Sequence, residues 1–181
     1  MALRNFSGKK GWLSILSGFT VFYRGLFQIH KIPAIIEFML IGISPVINPE
    51  LLDALFRMGH GDEIVLADAF FPGDTCNSRV IRADGIRISA LLDGILKLIN
   101  LDSMYAHPVI MMAASGSDTL DPAVESSYRA VIDRIWPGIP ATERVERFAF
   151  YERTKKAYAV VMTGETVKYG NIILKKGVIP V

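Results

Sequence analysis

Cysteine occurs once in this 181-residue chain, at Cys76, and histidine three times, at His30, His60 and His107. A single thiol closes no intrachain disulfide and furnishes no cysteine-rich zinc site, which fits a reducing, cytoplasmic compartment. The imidazoles are spaced too widely for a metal motif and no H-E-x-x-H stretch occurs, so no metal is expected. A glycine-rich nucleotide fingerprint and a phosphate-loop lysine pattern are also missing, and no cofactor is expected. Excess charge is scarce: the formal net charge is +2, and residues 1–38 set five basic residues against Glu37, a local +4 that leaves −2 for the remainder. A mildly acidic body lacks the clustered Lys and Arg that phosphate backbones require, which excludes nucleic acid as a partner. From Gly11 to Tyr23 the chain is uncharged and mostly apolar, but such a run falls short of the roughly twenty residues a helix needs to cross a bilayer.

What is present is a chain with 51% hydrophobic and 21% charged residues, enough for one globular domain with a substantial core. Residues 1–38 read as an addition to a domain spanning 39–181. Lys9 and Lys10 before the apolar run and Arg24 after it partly imitate a secretory signal, without a small-x-small cleavage site. Three readings of the extension stand: an organelle-targeting segment, an extra helix, or upstream translation ahead of a functional start at Met39.

From Met39 onward, helical and extended patterns alternate. Asn48-Pro49-Glu50 supplies an N-cap, a proline at the first helical position and an acid in the first turn, and Leu51, Leu52, Leu55 and Met58 continue as an apolar stripe. Gly59 is the expected left-handed cap, and Ile64-Val65-Leu66-Ala67 a short buried strand. A Pro72-Gly73 turn and a polar loop precede a brief strand over 79–82, and Ser89 is the expected cap of a helix carrying Leu91, Leu92, Ile95, Leu96 and Ile99. Residues 108–114 read as a strand, 121–136 as a helix opened by Asp121-Pro122, 145–148 as extended, 150–156 as helical turns, and 158–163 and 172–174 as strands. Short connections and continuous apolar strands predict a single three-layer α/β/α domain.

Among residues able to carry chemistry, His60 stands out. It lies between Gly59 and Gly61 on tightly turned backbone, and histidine is the side chain that titrates nearest neutrality, which suits it to proton transfer. Asp62 or Glu63 could orient its ring, or both belong to a solvated turn. Asp68 ends the following strand, where open α/β sheets present polar groups to ligands, or where a carboxylate caps nearby amides. Arg147 beside Phe148, Phe150 and Tyr151 reads either as a surface charge with a packed stem or as a sugar site, in which guanidinium donors meet hydroxyls and rings cover apolar faces. Tyr169-Gly170-Asn171 reads either as a turn or as ligand-facing groups.

Taken together, Ile43-Ser44-Pro45, Pro49-Glu50-Leu51-Leu52, Met58-Gly59-His60-Gly61-Asp62-Glu63, Ile81-Arg82-Ala83-Asp84-Gly85, Arg147-Phe148-Ala149-Phe150-Tyr151-Glu152-Arg153 and Lys168-Tyr169-Gly170-Asn171 resemble the L-fucose mutarotase family, the FucU branch of the RbsD/FucU superfamily. The resemblance runs in order from about Met39 to Val178. It implies an RbsD-like α/β/α domain with a mixed central sheet, acting as an isomerase that interconverts the α and β anomers of L-fucose, a free monosaccharide. It makes His60 the proton donor and assigns sugar binding to Asp68, Arg147, Tyr169, Gly170 and Asn171, with Tyr169 also the candidate for the complementary proton-transfer group. A homo-oligomer is implied, a decamer or smaller. The sister D-ribose pyranase branch, which interconverts pyranose and furanose forms, has Gly-His-Thr-Asp and Tyr-Ala-Asn where this chain has Gly-His-Gly-Asp and Tyr-Gly-Asn. That reading and a non-catalytic sugar-binding oligomer are the alternatives.

Overall fold

A computed structural model describes residues 40–179. The expectations for the extension, residues 1–38, lie outside the described residues. Among the described residues five helices and six strands follow one another: α1 (Pro49–Arg57), β1 (Glu63–Ala67), α2 (Gly73–Cys76), β2 (Val80–Ala83), α3 (Ile88–Ile95), β3 (Val109–Met112), α4 (Pro122–Ile135), β4 (Glu143–Val145), α5 (Arg147–Lys156), β5 (Ala159–Thr163) and β6 (Ile172–Lys175). Among the described residues no helix is long and apolar enough to cross a membrane.

The strands form one sheet in the order β2-β5-β1-β6-β3-β4. β1 pairs in parallel with β5, β5 with β2, and β3 with β4, whereas β6 runs antiparallel to both of its neighbours, β1 and β3. Five strands therefore point one way and β6 the other, the mixed sheet that the family resemblance implies. The start of β6 lies at the carboxyl edge of the other five, beside the end of β1, and its end lies beside the start of β1 through the Leu66↔Ile172 and Glu63↔Lys175 pairs.

Side chains alternate across a strand, and the two faces gather separate cores. Ile64, Leu66, Val109, Met111, Ile172 and Leu174 pack on one face under Leu51 and Leu55 of α1, Leu91, Leu92 and Ile95 of α3, and Tyr128 and Ile132 of α4. Val65, Ala67, Ile110, Met112 and Ile173 point to the other, covered by Phe71, Cys76 and Phe150 from the α2 and α5 side. The sheet is thus sandwiched between helical layers. Both faces being covered explains why its central strands read as unbroken apolar runs.

Most local signals act as expected. The Asn48 side chain accepts from Leu51 N at 2.8 Å, and Asp121 accepts from Ala123 N at 2.9 Å, each ahead of a proline in the first helical turn. Four expectations are corrected. The α1 cap is Met58, at φ −57° and ψ 133°, and the positive φ falls at Gly61 (86°) instead of Gly59. Helix α3 is capped at Arg87, so Ser89 lies within its first turn, and it ends at Ile95. The polar loop after Pro72 contains the short helix α2. Finally, β4 ends at Val145 because Glu146 caps α5, its carboxylate accepting from Phe148 N at 2.7 Å and Ala149 N at 3.2 Å. Arg147 and Phe148 consequently open a helix instead of closing a strand.

Candidate active site

The carboxyl edge of the sheet gathers most of the singled-out residues. Asp68 follows β1 and is 7% exposed. Asn171, just before the antiparallel β6, reaches it from the adjoining strand: Asn171 Nδ2 donates to Asp68 Oδ2 at 2.7 Å while Asn171 Oδ1 accepts from Asp68 N at 2.7 Å. Phe70 N donates to the other carboxylate oxygen at 2.9 Å. Burial pushes the Asp68 carboxyl above its ordinary value, and these hydrogen bonds only partly oppose it. Glu165, also buried, sits close enough to add to the upward push.

Residues 163–171 form the connection that carries Tyr169 and Gly170. Glu165 organises it, accepting from Thr166 N at 3.0 Å and Arg87 Nη1 at 2.6 Å, while Thr163 Oγ1 donates to Ala67 O at 2.8 Å. Tyr128 OH donates to Gly170 O at 3.0 Å, and burial raises that phenol far above its ordinary value, leaving it a fixed donor. A side chain at Gly170 would sit 2.9 Å from Val167 O and 3.0 Å from the Glu165 Cγ, so close packing demands glycine here. Tyr169 is the one non-glycine residue at positive φ (58°) among the described residues. Such a conformation is costly for a bulky residue and clusters where surrounding structure fixes a functional group. Its hydroxyl donates to Asp118 Oδ2 at 3.0 Å and accepts from Ser115 N at 3.3 Å. The Lys168 ammonium on the same oxygen, at 3.1 Å, holds the Asp118 carboxyl below its usual range, with Thr119 N and the Tyr169 phenol adding to the effect.

Arg147 joins this edge because β4 ends beside the end of β3, with Val145 opposite Met112. Its guanidinium lies 4.8 Å over the Phe148 ring. Tyr151, one turn on, ties the edge together. Its phenol is raised first by burial, Arg147 opposes the rise, and Cys76, Asp68 and Tyr169 add smaller upward pushes. Phe71 meets Tyr151 edge-on at 5.4 Å, and Phe70 and Phe148 are exposed. The result is a buried carboxylate, an amide, a phenol and a guanidinium beside aromatic faces, a donor and acceptor set suited to a polyhydroxylated ligand.

His60 is not there. It precedes β1 while Asp68 follows it, and five extended residues at about 3.3 Å each keep the two on the order of 15 Å apart at opposite edges. At its own edge His60 Nε2 lies 3.2 Å from Asp102 Oδ2. Asp62 and Glu63 do not orient the ring. Asp62 Oδ2 accepts from Gly59 N at 2.7 Å, and Glu63 receives Arg153 in a two-pronged pair at 2.6 and 2.8 Å. A cavity of about 350 Å³ beside His60 is lined by Gly61, Asp62, Glu63, Tyr105, Arg153 and Lys156, but its strongest donor and acceptor already satisfy each other.

Sequence reasoning missed Asp102, Asp118 and Glu165 as parts of these constellations. Asp102 is 42 residues from its partner and Asp118 is 51 from Tyr169, separations that no motif spacing encodes.

Residues 41–179 match the RbsD / FucU transport protein family. The chain is 58% identical over 143 residues to an L-fucose mutarotase of Actinobacillus pleuropneumoniae serotype 5b (strain L20), an alignment covering 79% of this chain and 99% of the relative. It is 57% identical over 143 residues to an L-fucose mutarotase of Histophilus somni (strain 2336), with the same coverage. The crystal structure of the fucose mutarotase from Streptococcus pneumoniae in complex with L-fucose superposes with a TM-score of 0.74 at 46% identity, covering 78% of this chain and all of that one.

Proposed function

Because the chain belongs to the RbsD / FucU family, we propose that it catalyses interconversion of the α and β anomers of L-fucose. The observation that carries this reading is the carboxyl-edge cluster of Asp68, Asn171, Tyr169 and Arg147 around aromatic faces, in a chain 58% identical to an L-fucose mutarotase. Exchanging anomers requires the sugar ring to open: a base removes the anomeric hydroxyl proton, an acid protonates the ring oxygen, and the aldehyde rotates before reclosing. No electrons are gained or lost. Asp68 and the Asn171 segment accept and donate to sugar hydroxyls, the Arg147 guanidinium binds them from the helix side, and Tyr169 and His60 move the protons.

A sugar held at the carboxyl edge is out of reach of its own chain's His60. The site is therefore completed by a second copy packed head to tail, the His60 edge of one against the Asp68 edge of the next. Exposed apolar groups at both edges support that contact: Phe70 and Phe148 at one, Met104 and Tyr105 at the other. Head-to-tail contacts of this kind close into rings when the rotation between copies allows. The catalytic domain is residues 39–181, and a chain beginning at Met39 is expected to retain full exchange activity. Buried Cys76, with no disulfide partner, accords with a cytoplasmic site of action.

The test is magnetisation transfer between the anomeric NMR signals of L-fucose. Added protein should raise the exchange rate, and His60→Ala should lower it by about 10²–10⁴-fold, the usual worth of a positioned acid or base, with affinity little changed. Unaltered exchange at all protein concentrations would sink the reading. If D-ribose exchange rose while L-fucose exchange stayed at its spontaneous rate, the pyranase alternative would replace it.

A further inference from the structure

We propose that Glu165, paired with Arg87, is a positioning residue of the sugar site. It locks the connection that carries Tyr169, Gly170 and Asn171 onto the strand end that carries Asp68, and the charge of the pair sets the pH range over which the site holds its ligand. The inference rests on the L-fucose-binding role proposed for that edge. Glu165 is 6% exposed, and one of its carboxylate oxygens gathers three donors. Oε1 accepts from Arg87 Nη1 at 2.6 Å, Thr166 N at 3.0 Å and Val167 N at 3.3 Å. Val167 O in turn accepts from Gly170 N at 3.1 Å, and a side chain at Gly170 would press on the Glu165 Cγ at 3.0 Å.

The main chain of Glu165 reaches the other way. Its O accepts at 2.8 Å from the N of Ala69, the residue directly after Asp68, and its N donates to Thr163 Oγ1 at 3.1 Å. Asp68 and the connection therefore meet twice, through Glu165 O and through the Asn171 side chain. Arg87, the cap of α3, is placed independently. Gly164 N donates to Ile86 O at 2.9 Å, and a side chain at Gly164 would fall 2.6 Å from the Gly85 Cα. Backbone contact between 85–86 and 164 thus brings guanidinium and carboxylate together before any charge attraction acts.

A neutral acceptor would hold the same amides without the cost of burying a carboxylate, and an ion pair with the largely exposed Arg87 returns little of that cost. What the charge adds is a field on its neighbours. Tyr128 of α4 feels Glu165, Asp68 and Arg87 together, and Tyr151 of α5 feels Arg147, Cys76, Asp68 and Tyr169. Burial raises the Tyr128 and Tyr151 phenols and the Cys76 thiol of α2, so all three stay neutral from acid to neutral pH, while the guanidiniums stay charged. Asp68 is the group that responds. Burial is the main force raising its carboxyl, and the Glu165 carboxylate adds to it. Arg87 offsets that addition, because an opposite charge on Glu165 weakens its repulsion of a second carboxylate. Sugar hydroxyls donate to the ionised form of Asp68, so the pair decides how far the pH can fall before binding weakens.

The experiment uses the full chain. Carboxyl ¹³C shifts of Asp68 followed over pH report its ionisation with no sugar present, and calorimetric titration with L-fucose over the same pH series reports binding. Glu165→Gln keeps an accepting oxygen and removes the charge, so the Asp68 midpoint and the acid limb of L-fucose affinity should both move to lower pH. In Arg87→Gln, which leaves Glu165 unneutralised, both should move to higher pH. A purely structural staple would change affinity at every pH alike and shift neither midpoint. Glu165→Ala, which also strips two part-buried amides of their acceptor, should bind L-fucose about 10-fold more weakly at neutral pH. An Asp68 midpoint unmoved in Arg87→Gln, a change at an exposed side chain that leaves the core intact, overturns the proposal, as do shifts of the two Gln variants in one direction. Opposite shifts of the carboxyl with an L-fucose affinity that ignores pH overturn the ligand claim through a failure of the sugar-site reading. The sugar-free titration separates that failure from a missing Glu165–Asp68 coupling.

Discussion

The Asn171 side chain spans Asp68 from two sides, its amide nitrogen 2.7 Å from Asp68 Oδ2 and its oxygen 2.7 Å from Asp68 N. Both residues are buried, so Asn171→Ala leaves a carboxylate oxygen and a backbone N–H without partners. Each orphan costs about 1–3 kcal/mol. We expect the variant to lose about 2–4 kcal/mol in denaturant unfolding, relaxation absorbing part of the sum, and to bind L-fucose more weakly in calorimetric titration. A loss below about 0.5 kcal/mol would mean that water replaces the amide and that the pairing is not a built element.

Burial raises the Asp68 carboxyl above its ordinary value of 3.8. In the pH window just above that value the folded protein therefore keeps a proton that the unfolded chain has already released. The corresponding contribution to stability is complete below the unfolded value and disappears as pH rises through the folded one. Asp68→Asn, which cannot titrate, should gain stability relative to wild type as pH rises through this window. Parallel melting curves across a pH series measure it, and a wild-type-minus-variant difference independent of pH would contradict it. Sugar hydroxyls donate to the ionised carboxylate, so L-fucose affinity should fall on acidification in the wild type and not in the variant.

Tyr169 holds a left-handed backbone while its phenol bridges Asp118 and Ser115 N. Tyr169→Phe keeps ring and backbone and deletes only the hydroxyl, at a cost of about 1 kcal/mol in stability. If the phenol is the proton-transfer complement of His60, exchange should drop about 10²-fold or more while L-fucose affinity changes several-fold at most. A variant with ordinary exchange and weakened affinity would make Tyr169 a binding group only.

Crowding at Gly170 yields a different signature. A methyl group there has no space beside Val167 O and the Glu165 Cγ, so Gly170→Ala must shift the segment that carries Tyr169 and Asn171. Overpacking of this kind costs about 1–3 kcal/mol. Affinity and exchange should both fall, in contrast to the selective loss in Tyr169→Phe. An unchanged melting temperature would show that the segment yields without penalty.

The parts of this molecule that were legible in its sequence are those encoded by near neighbours. Asn48-Pro49-Glu50 fixes the start of α1 because cap, proline and acid act within one turn, and Ile64 to Ala67 reads as a buried strand because helices cover both faces of β1. Glu146 went unread as a cap because Val145 and Phe148 bracket it in what reads as a short extended stretch, and the carboxylate that ends the strand reaches forward only to Phe148 N and Ala149 N. The site residues were named through motifs, but that Tyr169, Gly170 and Asn171 share an edge with Asp68 depends on β6 entering between β1 and β3 in the opposite direction. That topology is a property of strand pairing at long range. The same holds for Asp102, which meets His60 only because residues 100–102 run beside 175–177.

The separation of His60 from Asp68 makes a stronger demand than any single substitution. If each working site takes His60 from one copy and Asp68, Arg147 and Tyr169 from the next, then His60→Ala and Arg147→Ala chains should each be inactive alone and regain activity when assembled together. In a mixed oligomer formed from equal amounts, an interface works only when an Arg147→Ala chain supplies the histidine and a His60→Ala chain supplies the arginine. Random head-to-tail assembly places that pairing at about one interface in four, since each contact joins two different surfaces. Co-expressed variants should therefore show about a quarter of wild-type L-fucose exchange per chain, whereas separately purified variants mixed without subunit exchange should show none. A site completed within one chain leaves every mixed assembly as inactive as its components, because no chain then carries both groups. Absence of recovery in oligomers shown by mass to contain both variants would overturn the shared site and require His60 and Arg147 of one chain to serve the same sugar.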